Sequence, residues 1–576
     1  MTATERRTSG LIPLIGQLRA YDRSWLRGDL IAGVTVAALI VPKNLGYAGI
    51  AGIPLQNGLY AAAAGAIVYA IFGSCRQISV GPSSGLAAVA ASAVLAAGLV
   101  AEQDVASFVA GITLASGVLF LLLAVLKMGW IARFLSRAVV TGFLFGAAID
   151  VVIGELPKLT GTKVTGSNPI QELWSWFGTL GEAHPATVVV GVIALAVVFG
   201  LRAVAPQVPG ALVLVVGGLL AASIFDLGGK GVALVGDIPS GLPAFAVPNL
   251  QLMFDHIGTT SLAAVALLLI GFSQTAGDAR TFAAKHHYRI DINQESTAQG
   301  LANTAAGVFQ GMPVSTSLSA SSLNDHSGAR TGVASLTSGV TVILTLLFLA
   351  PLFSNLPKPV LAALIIEAVV MGMMNVPEMR RLARVQRFDF WIAIAALTGA
   401  LVFGVLAGVV IGIILSLIWL VSVATRPKMP ALGLEAGTQV FREVDEHPED
   451  TVYPDVAVVR LDGGLFFATA DAFDDRLREL IQSGPGLTGV VLDCGGINFI
   501  DSQGVDKLGD MVDLAREAGV ALRLARLKPG VRATLERDGV SERLGADRIH
   551  GNIYRAVEAE RSAGATPGRS ADGPAE

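Results

Sequence analysis

Apolar segments long enough to cross a lipid bilayer follow one another through most of this 576-residue chain, from about Gly28 to Ser422. Charged side chains make up only 15% of the sequence, whereas soluble domains carry about 25%. A helix needs about 20 apolar residues to span the hydrocarbon core. The fourteen candidate segments are 29–48, 58–73, 82–99, 106–126, 134–153, 185–203, 209–225, 260–279, 295–311, 318–325, 331–350, 357–374, 388–404 and 405–423. The pattern predicts an α-helical membrane protein of fourteen spans, several of them short.

Lysine and arginine are unevenly distributed over the connections between these segments. With the N-terminus inside, fifteen of them, Arg202 included, fall on inner connections, and four fall on outer connections. Such an excess of positive charge is typical of the cytoplasmic side. Residues 1–27 hold five arginines but no cleavable apolar region, which indicates a cytoplasmic segment rather than a signal peptide. We therefore expect a multi-pass protein of the cell membrane with both termini in the cytoplasm.

A short pattern occurs twice, seven spans apart. In the first copy, the apolar run 66–73 ends at a glycine and is followed, after a short polar gap, by the Ser/Gly-rich run 79–85, which contains Pro82. In the second copy, 302–311 also ends at a glycine and is followed by 313–321, which is rich in serine. An odd number of spans between the copies gives them opposite orientations in the membrane. Inverted repeats with interrupted helices are typical of transporters, and the substrate site lies between them.

The interrupted helices predict an anion site. Helices that begin near Pro82 and Ser319 would direct free N–H groups and the positive ends of two helix dipoles into a cavity. Pro82 suits the first position of a helix, where no N–H is needed. The hydroxyl groups of Ser83, Ser84, Ser319 and Ser321 are expected to cap these helices or to donate to a ligand. The alternative is that the Ser/Gly runs only allow helices to pack closely.

Two ionisable residues lie within predicted spans. Lys43 follows Asp29 by 14 residues, which places it about 20 Å along the first span. An ionisable group at that depth indicates a functional site, unless the side chain extends to the outer interface. Asp278, in the eighth span, either faces the cavity or pairs with Arg280 at the inner surface. Gln274, one turn earlier, is expected to bond a substrate oxygen, and Tyr47 lies one turn after Lys43.

A basic run lies before the thirteenth span, and its members are Arg380, Arg381, Arg384 and Arg387. We expect it to fix the orientation of the chain and, secondarily, to contact anionic membrane lipids.

The C-terminal region has the composition of a soluble domain. Short β-branched runs at 456–461, 489–493 and 520–525 alternate with helical patterns at 472–482 and 504–518, which predicts a small α/β domain. We divide the chain into the transporter domain 28–425, a linker 426–452, the α/β domain 453–560 and a disordered tail 561–576. Two distant cysteines give no metal or disulfide pattern, and no catalytic motif indicates an enzyme.

Several motifs resemble those of the SulP family of anion transporters, the bacterial relatives of the animal sulfate, chloride and bicarbonate exchangers. The run 28–35, Pro42, and the runs 47–48 and 58–60 resemble the first signature of the family. The second signature is represented by 291–295, Gly300, Asn303, Gly311 and 328–331. The run 493–504 resembles the STAS module, related to anti-sigma-factor antagonists. The resemblance covers residues 20 to 560.

The resemblance implies two inverted seven-helix repeats that form a core and a gate domain, with a cytoplasmic STAS domain behind them. It also implies a homodimer and an elevator-like movement of the core. The anion is expected between the third and tenth helix N-termini, completed by the first and eighth spans. The expected substrate-binding residues are Lys43, Tyr47, Gly81, Pro82, Ser83, Ser84, Gln274, Ser319, Ala320 and Ser321.

The sequence departs from the family at three positions of this site. Lys43 stands where glutamine is usual, and Ala320 stands where arginine is frequent. Gln274 stands where many bacterial members carry a carboxylate linked to proton or sodium coupling, with Asp278 one turn later. We expect Lys43 to supply the missing positive charge and Asp278 to take over the coupling. Ser502 matches a serine that is phosphorylated in the antagonist relatives, although a helix cap is the alternative.

These features predict a secondary active transporter or exchanger of small inorganic anions, with sulfate as the default substrate and a proton or sodium as co-ion. Bicarbonate or a dicarboxylate are alternatives, and so is a non-transporting anion sensor that signals through STAS. A nucleobase permease shares the expected fold but lacks a STAS domain. No cofactor, metal or nucleic acid is expected.

Overall fold

The computed structural model describes residues 12–128, 136–166, 168–205, 208–483 and 486–564, which form two compact units divided between Ser416 and Leu417. Residues 1–11 of the predicted N-terminal segment, Arg133 and the tail residues 565–576 lie outside the described residues.

The first unit is helical. Its helices are α1 (Pro13–Arg19), α2 (Leu26–Ala51), α3 (Leu55–Phe72), α4 (Ser84–Ala96), α5 (Glu102–Val125), α6 (Arg137–Thr160), α7 (Pro169–Thr179), α8 (Pro185–Val204), α9 (Gly210–Ile224), α10 (Leu250–Asp255), α11 (Ile257–Lys285), α12 (Ile292–Val308), α13 (Leu318–His326), α14 (Val333–Leu344), α15 (Lys358–Met373), α16 (Val376–Val385), α17 (Arg387–Phe403) and α18 (Val405–Ala424). The last of these crosses the boundary between the units.

Every predicted span coincides with one of these helices. Nine helices in the described part of the chain are long and apolar enough to cross a membrane. The five other predicted spans coincide with the shorter helices α4, α9, α12, α13 and α17. The hydropathy pattern did not predict α1, α7, α10 and α16, none of which is longer than 11 residues. The basic run lies on α16 and at the start of α17. Arg381 and Glu378, both on α16, form an ion pair.

The helices pack in two sets. In one set α2–α5 contact α11–α14, and in the other α6 contacts α8, α15 and α17, and α8 also contacts α9 and α15. Glycines allow α5 and α12 to approach each other closely. A Cβ atom on Gly117 would lie 2.6 Å from the Thr304 backbone nitrogen, and one on Gly307 would lie 2.8 Å from the Leu114 nitrogen. Small residues at such crossings are typical of membrane helix packing.

Two short strands connect the halves of the first unit. They are β1 (Val80–Pro82), between α3 and α4, and β2 (Val314–Thr316), between α12 and α13. They pair antiparallel, with Val80 opposite Thr316 and Pro82 opposite Val314. Both interrupted helices are therefore present, in the same helix–strand–helix order. The starts of α4 and α13 follow opposite ends of this antiparallel ladder, and they lie near each other because the ladder has only three residue pairs.

Pro82 does not occupy the first position of a helix, as the sequence suggested, but the end of β1. Ser83 is the N-cap of α4. Proline has no N–H to donate to the neighbouring strand, and it is tolerated at this position because the Val314 residue opposite it obtains its hydrogen bonds from other groups. The Val314 carbonyl accepts from Gln299 and Asn303, and the Val314 N–H donates to Asn303.

The second unit is an α/β domain, in agreement with the prediction. Its strands are β3 (Leu432–Leu434), β4 (Phe441–Glu443), β5 (Val456–Arg460), β6 (Gly489–Asp493), β7 (Ala521–Ala525) and β8 (Ile549–His550), and its helices are α19 (Ala470–Ser483), α20 (Ser502–Glu517), α21 (Pro529–Asp538), α22 (Val540–Leu544) and α23 (Ile553–Gly564). β5 to β8 form a parallel sheet in sequence order. The linker contains the hairpin β3–β4, and α23 makes residues 561–564 helical rather than disordered.

Candidate functional site

A cavity of about 480 Å³ lies inside the first unit, where the two interrupted helices begin. Its wall includes residues of α2, the first turns of α4 and α13, one face of α11, and parts of α8 and α15. A smaller cavity of about 20 Å³ adjoins the same elements and is bounded by Lys43, Asn44, Gly81 and Ala320. The predicted meeting of two helix starts at a cavity is thus observed.

Each helix start is capped by a serine. The Ser83 Oγ accepts from the Leu86 N–H at 3.4 Å, and the Ser317 Oγ accepts from the Ala320 N–H at 3.4 Å. Ser317 was not predicted, because the Ser-rich run gave no indication of which serine precedes the helix. Helix N-termini carry a positive partial charge and unpaired N–H groups. Two such termini at one cavity favour the binding of an anion even where no positively charged side chain contributes.

The segment that leads into β1 is held by side chains from the second half of the chain. The Glu295 carboxylate accepts from the Ser74 N–H at 2.8 Å, the Ser74 hydroxyl at 2.6 Å and the Cys75 N–H at 3.0 Å, and also from the Tyr69 hydroxyl. Further along, the Asn324 amide donates to the Gln77 carbonyl. These bonds fix the position of α4 relative to α12 and α13.

Ser321 belongs to this support and not to the cavity wall, which corrects the prediction. It is fully buried, and its Oγ accepts from the Ser79 N–H at 3.0 Å. Its partner lies more than 240 residues away, so the local sequence could not distinguish it from Ser319.

The other predicted residues line one or both cavities. Lys43, Tyr47, Pro82 and Ser319 line both. Two of the remaining residues, Gly81 and Ala320, line only the smaller cavity. The larger cavity alone is lined by Ser83, Ser84, Gln274 and Asp278.

Lys43 faces the cavity instead of extending to an interface. It makes no hydrogen bond or ion pair within the described ranges, and its charge interacts with those of Glu367 and Arg202. Tyr47, one turn later, interacts with the Ser84 hydroxyl. A lysine without a partner at the two helix starts increases the positive potential of the cavity.

Asp278 also faces the cavity, which decides between its two predicted positions. Its Oδ2 accepts from the Thr316 hydroxyl at 2.7 Å, and no bond to Arg280 occurs in the part of the chain that the structure describes. Gln274, one turn earlier, lines the cavity with a buried Oε1 that has no hydrogen-bond partner among the described residues. Both groups are therefore placed to contact a ligand or a co-ion.

Arg202, Glu367 and Asn44 were missed as site residues. The Arg202 Nη1 donates to the Glu367 Oε1 at 2.8 Å, and Arg202 lines the cavity. Arg202 was assigned to an inner connection because it lies near the end of an apolar segment. The signal for Glu367 was present, since it is a lone carboxylate in an apolar span. Asn44 is 2% exposed, borders the smaller cavity and has an Nδ2 without a partner in the described chain.

Ser502, in the second unit, is exposed in the first turn of α20. It is not the helix cap that the sequence offered as an alternative. The cap is Asp501, whose Oδ1 accepts from the Gly504 N–H at 2.9 Å. The nearby Cys494 is buried, and burial, together with the Asp493 charge, raises the pKa of its thiol. Among the described residues no group of three or more His, Cys, Asp or Glu side chains is placed to hold a metal ion.

The fold and the cavity together define a multi-pass membrane transporter with interrupted helices and a C-terminal α/β domain. Residues 26–396 match the model of the sulfate permease family, and residues 447–559 match the STAS domain. The chain belongs to the sulfate permease family, a family of anion transporters rather than enzymes. The predicted SulP and STAS assignments are thereby confirmed.

Curated relatives match almost the full chain. A protein of Mycobacterium tuberculosis named "Probable sulfate transporter" is 32% identical over 557 residues, which cover 96% of this chain and 99% of the relative. "Sulfate transporter 4.1, chloroplastic" of Arabidopsis thaliana is 30% identical over 575 residues, which cover 95% of this chain and 82% of that protein.

Solved structures share the fold. The murine Slc26a9 anion transporter in its inward-facing state has a TM-score of 0.87 at 20% identity, covering 98% of this chain and 96% of that one. The transmembrane domain of the cyanobacterial bicarbonate transporter BicA has a TM-score of 0.58 at 20% identity, covering 69% and 98%. At these identities the likeness shows the fold alone.

Proposed function

We propose that this protein is a secondary active transporter of small inorganic oxyanions, with sulfate as its first substrate. One observation carries the proposal: Lys43 and the starts of α4 and α13 line the same cavity. Backbone N–H groups, the hydroxyls of Ser83 and Ser319 and one ammonium group are the donors that an oxyanion requires. The curated relatives named as sulfate transporters support this choice of substrate.

A charge balance supports coupling to a cation. The cavity wall carries the positive charges of Lys43 and Arg202, and the latter is paired with Glu367. Asp278 is a further negative charge on the same wall. A divalent anion would be repelled by an ionised Asp278, so a proton or a sodium ion at this carboxylate favours anion binding. Asp278 is the group that we assign to coupling.

The packing supports an elevator-like movement. Lys43, Ser83, Gln274 and Ser319 belong to the set α2–α5 and α11–α14, whereas Arg202 belongs to the other set. An anion in this cavity is thus enclosed by both sets of helices. A shift of the first set past the second would carry the anion and its helix N-termini together, and we assign the core to the first set and the gate to the second.

The test is uptake by purified protein in liposomes, with labelled sulfate, bicarbonate and fumarate in parallel. We expect saturable sulfate uptake that an inward proton or sodium gradient stimulates. Uptake of bicarbonate or fumarate alone would replace sulfate with one of the alternatives. Anion binding without uptake of any of them, under any gradient, would contradict transport and favour a sensor.

Lys43→Ala tests the site itself. Loss of one charged hydrogen-bond donor costs about 1.5–3 kcal/mol, so we expect the half-saturation concentration for sulfate to rise by about tenfold or more. Lys43→Arg should retain part of the affinity, and the exposed Lys230→Ala is the matched control. Unchanged uptake by a correctly folded Lys43→Ala protein would exclude Lys43 from the site.

Asp278→Asn tests the coupling. A permanently neutral side chain removes the need for the co-ion, so we expect uptake that no longer responds to the proton or sodium gradient, while sulfate still binds. A gradient response equal to that of the wild type would exclude Asp278 from coupling.

Bicarbonate is the second candidate, and Gln274 is the observation that favours it. Its buried Oε1 lacks a donor among the described residues, and bicarbonate carries an O–H group that sulfate lacks. Sulfate would need the opposite orientation of the amide, with the Nε2 towards the anion. Gln274→Leu should therefore weaken the binding of the physiological substrate, whether that is sulfate or bicarbonate.

A further inference from the structure

The ion pair between Arg202 and Glu367 has an asymmetric environment. The Arg202 side chain is 47% exposed and lines the cavity, whereas the Glu367 side chain is 8% exposed and lies behind it on α15. The pair joins α8 to α15, which also contact each other elsewhere. A buried carboxylate that orients an arginine towards a cavity resembles the support of a binding group more than a simple connection between helices.

Most of the donors of Arg202 are unused. A guanidinium group has five N–H donors in a planar fork. Within the described residues, the one hydrogen bond of this group is that from Nη1 to the Glu367 Oε1. The remaining donors belong to a side chain on the cavity wall. They are available to a ligand that fills the cavity.

Arg202 and Lys43 reach the cavity from different elements. Lys43 lies on α2 beside the two helix starts, whereas Arg202 lies on α8. Their charges, and that of Glu367, are close enough to interact. An anion at the helix starts therefore experiences positive charge from both sets of helices.

The geometry points to Arg202 as a direct contact of the transported anion on the wall formed by α8 and α15, with Glu367 as the positioning residue that orients its guanidinium group. This inference rests on the proposed function and extends it to the second set of helices. A planar fork binds two oxygens of one oxyanion, which a halide does not offer. Arg202 should therefore favour oxyanions such as sulfate over chloride.

A direct contact and a mere charge balance make different predictions for a double variant. Arg202→Gln alone removes the guanidinium fork, but it also leaves the buried Glu367 carboxylate without its ion-pair partner. Arg202→Gln/Glu367→Gln removes both charges, so the net charge of the cavity equals that of the wild type while the guanidinium donors are absent. Any remaining defect of the double variant reports the lost contact.

The experiment measures binding and uptake on the full-length protein. Sulfate and chloride binding are measured by calorimetry in detergent, and labelled sulfate uptake is measured in liposomes. We expect both Arg202→Gln and the double variant to bind sulfate about tenfold more weakly or worse, with chloride binding changed much less. Arg202→Lys keeps the ion pair without the fork and is expected to lose part of the preference for sulfate over chloride. The exposed Arg384→Gln is the matched control.

Recovery of wild-type sulfate affinity in the double variant would overturn the inference, because Arg202 would then only balance Glu367. An unchanged ratio of sulfate to chloride affinity in Arg202→Lys and in the double variant would overturn it as well. Arg202→Lys also serves if the other variants do not fold. Absence of anion binding and uptake in the wild-type protein would instead contradict the proposed function, so the two failures are distinguishable.

Discussion

The two crossovers that lead into the paired strands are alike in path but differ in what holds them. The first, residues 73–83, is held by side chains from the other half of the chain, with the Glu295 carboxylate as its main acceptor. The second, residues 309–317, is held by its own half, through the amides of Asn303 and Gln299 and the carboxylate of Asp278. The inverted repeat is thus a symmetry of backbone path and not of bonds.

One helix supports both crossovers. Glu295, Gln299 and Asn303 follow one another at intervals of four residues on α12, so they lie on one face. All three are buried, and they reach the first crossover through a charged group and the second through neutral amides. Bonds to a charged acceptor are about twice as strong as neutral ones. The comparison predicts that the first crossover depends more strongly on a single side chain.

Glu295→Gln should have the largest effect. The substitution keeps the size of the side chain but leaves one neutral acceptor oxygen. An N–H₂ group then faces either the Ser74 and Cys75 donors, which share Oε1, or the Tyr69 hydroxyl, which donates to Oε2. We expect a loss of about 3 kcal/mol or more in stability and a loss of uptake. Thermal unfolding of the purified protein measures the first effect, and Glu378→Gln on α16 is a partly exposed control. A Glu295→Gln protein as stable as that control would remove the basis of the comparison.

Asn303→Leu should have an intermediate effect. It removes two bonds to Val314 and one to the Gln299 carbonyl, and we expect a loss of about 2 kcal/mol in the same unfolding measurement. Thr304→Val is the neighbouring control, because the Thr304 hydroxyl has no partner within the described ranges. If Asn303→Leu proved more destabilising than Glu295→Gln, the second crossover would be the more dependent one and the comparison would be reversed.

Thr316→Val should have the smallest effect on stability, within about 1 kcal/mol, because it removes a single hydrogen bond. It gives β2 a valine opposite Val80, so the two strands become more alike. The lost hydroxyl donates to Asp278, and such a donor favours the charged carboxylate. We therefore expect the pH profile of sulfate uptake to move to higher pH. An unchanged profile would show that Thr316 has no part in coupling.

The sequence predicted the parts of the fold that hydropathy determines. All fourteen segments coincide with helices, because a bilayer requires long apolar runs whatever their partners are. Pro82 was assigned to a helix, because its φ suits both a helix start and a strand, and the choice depends on Val314 more than 230 residues away. The helix α16 carries too much charge for a hydropathy signal, and α7, with 11 residues, is too short for one.

The candidate site was predicted where the signal is local. Lys43 was identified because a lysine inside an apolar span has few explanations. Ser317 was missed because the local sequence does not show where α13 begins. Ser321 was misassigned because its hydroxyl is bonded by the Ser79 N–H, from the other half of the unit, instead of facing the cavity. Arg202 was missed because the positive-inside pattern offered a sufficient explanation for it. Its partner Glu367 lies 165 residues later, and no local pattern connects them.

The most direct test of the central claim is a structure of the protein with bound selenate, whose heavier central atom locates the anion by its scattering. We predict selenate in the main cavity, between the first turns of α4 and α13 and within contact of Lys43. Selenate at saturating concentration that occupies another position, with this cavity empty, would contradict the account.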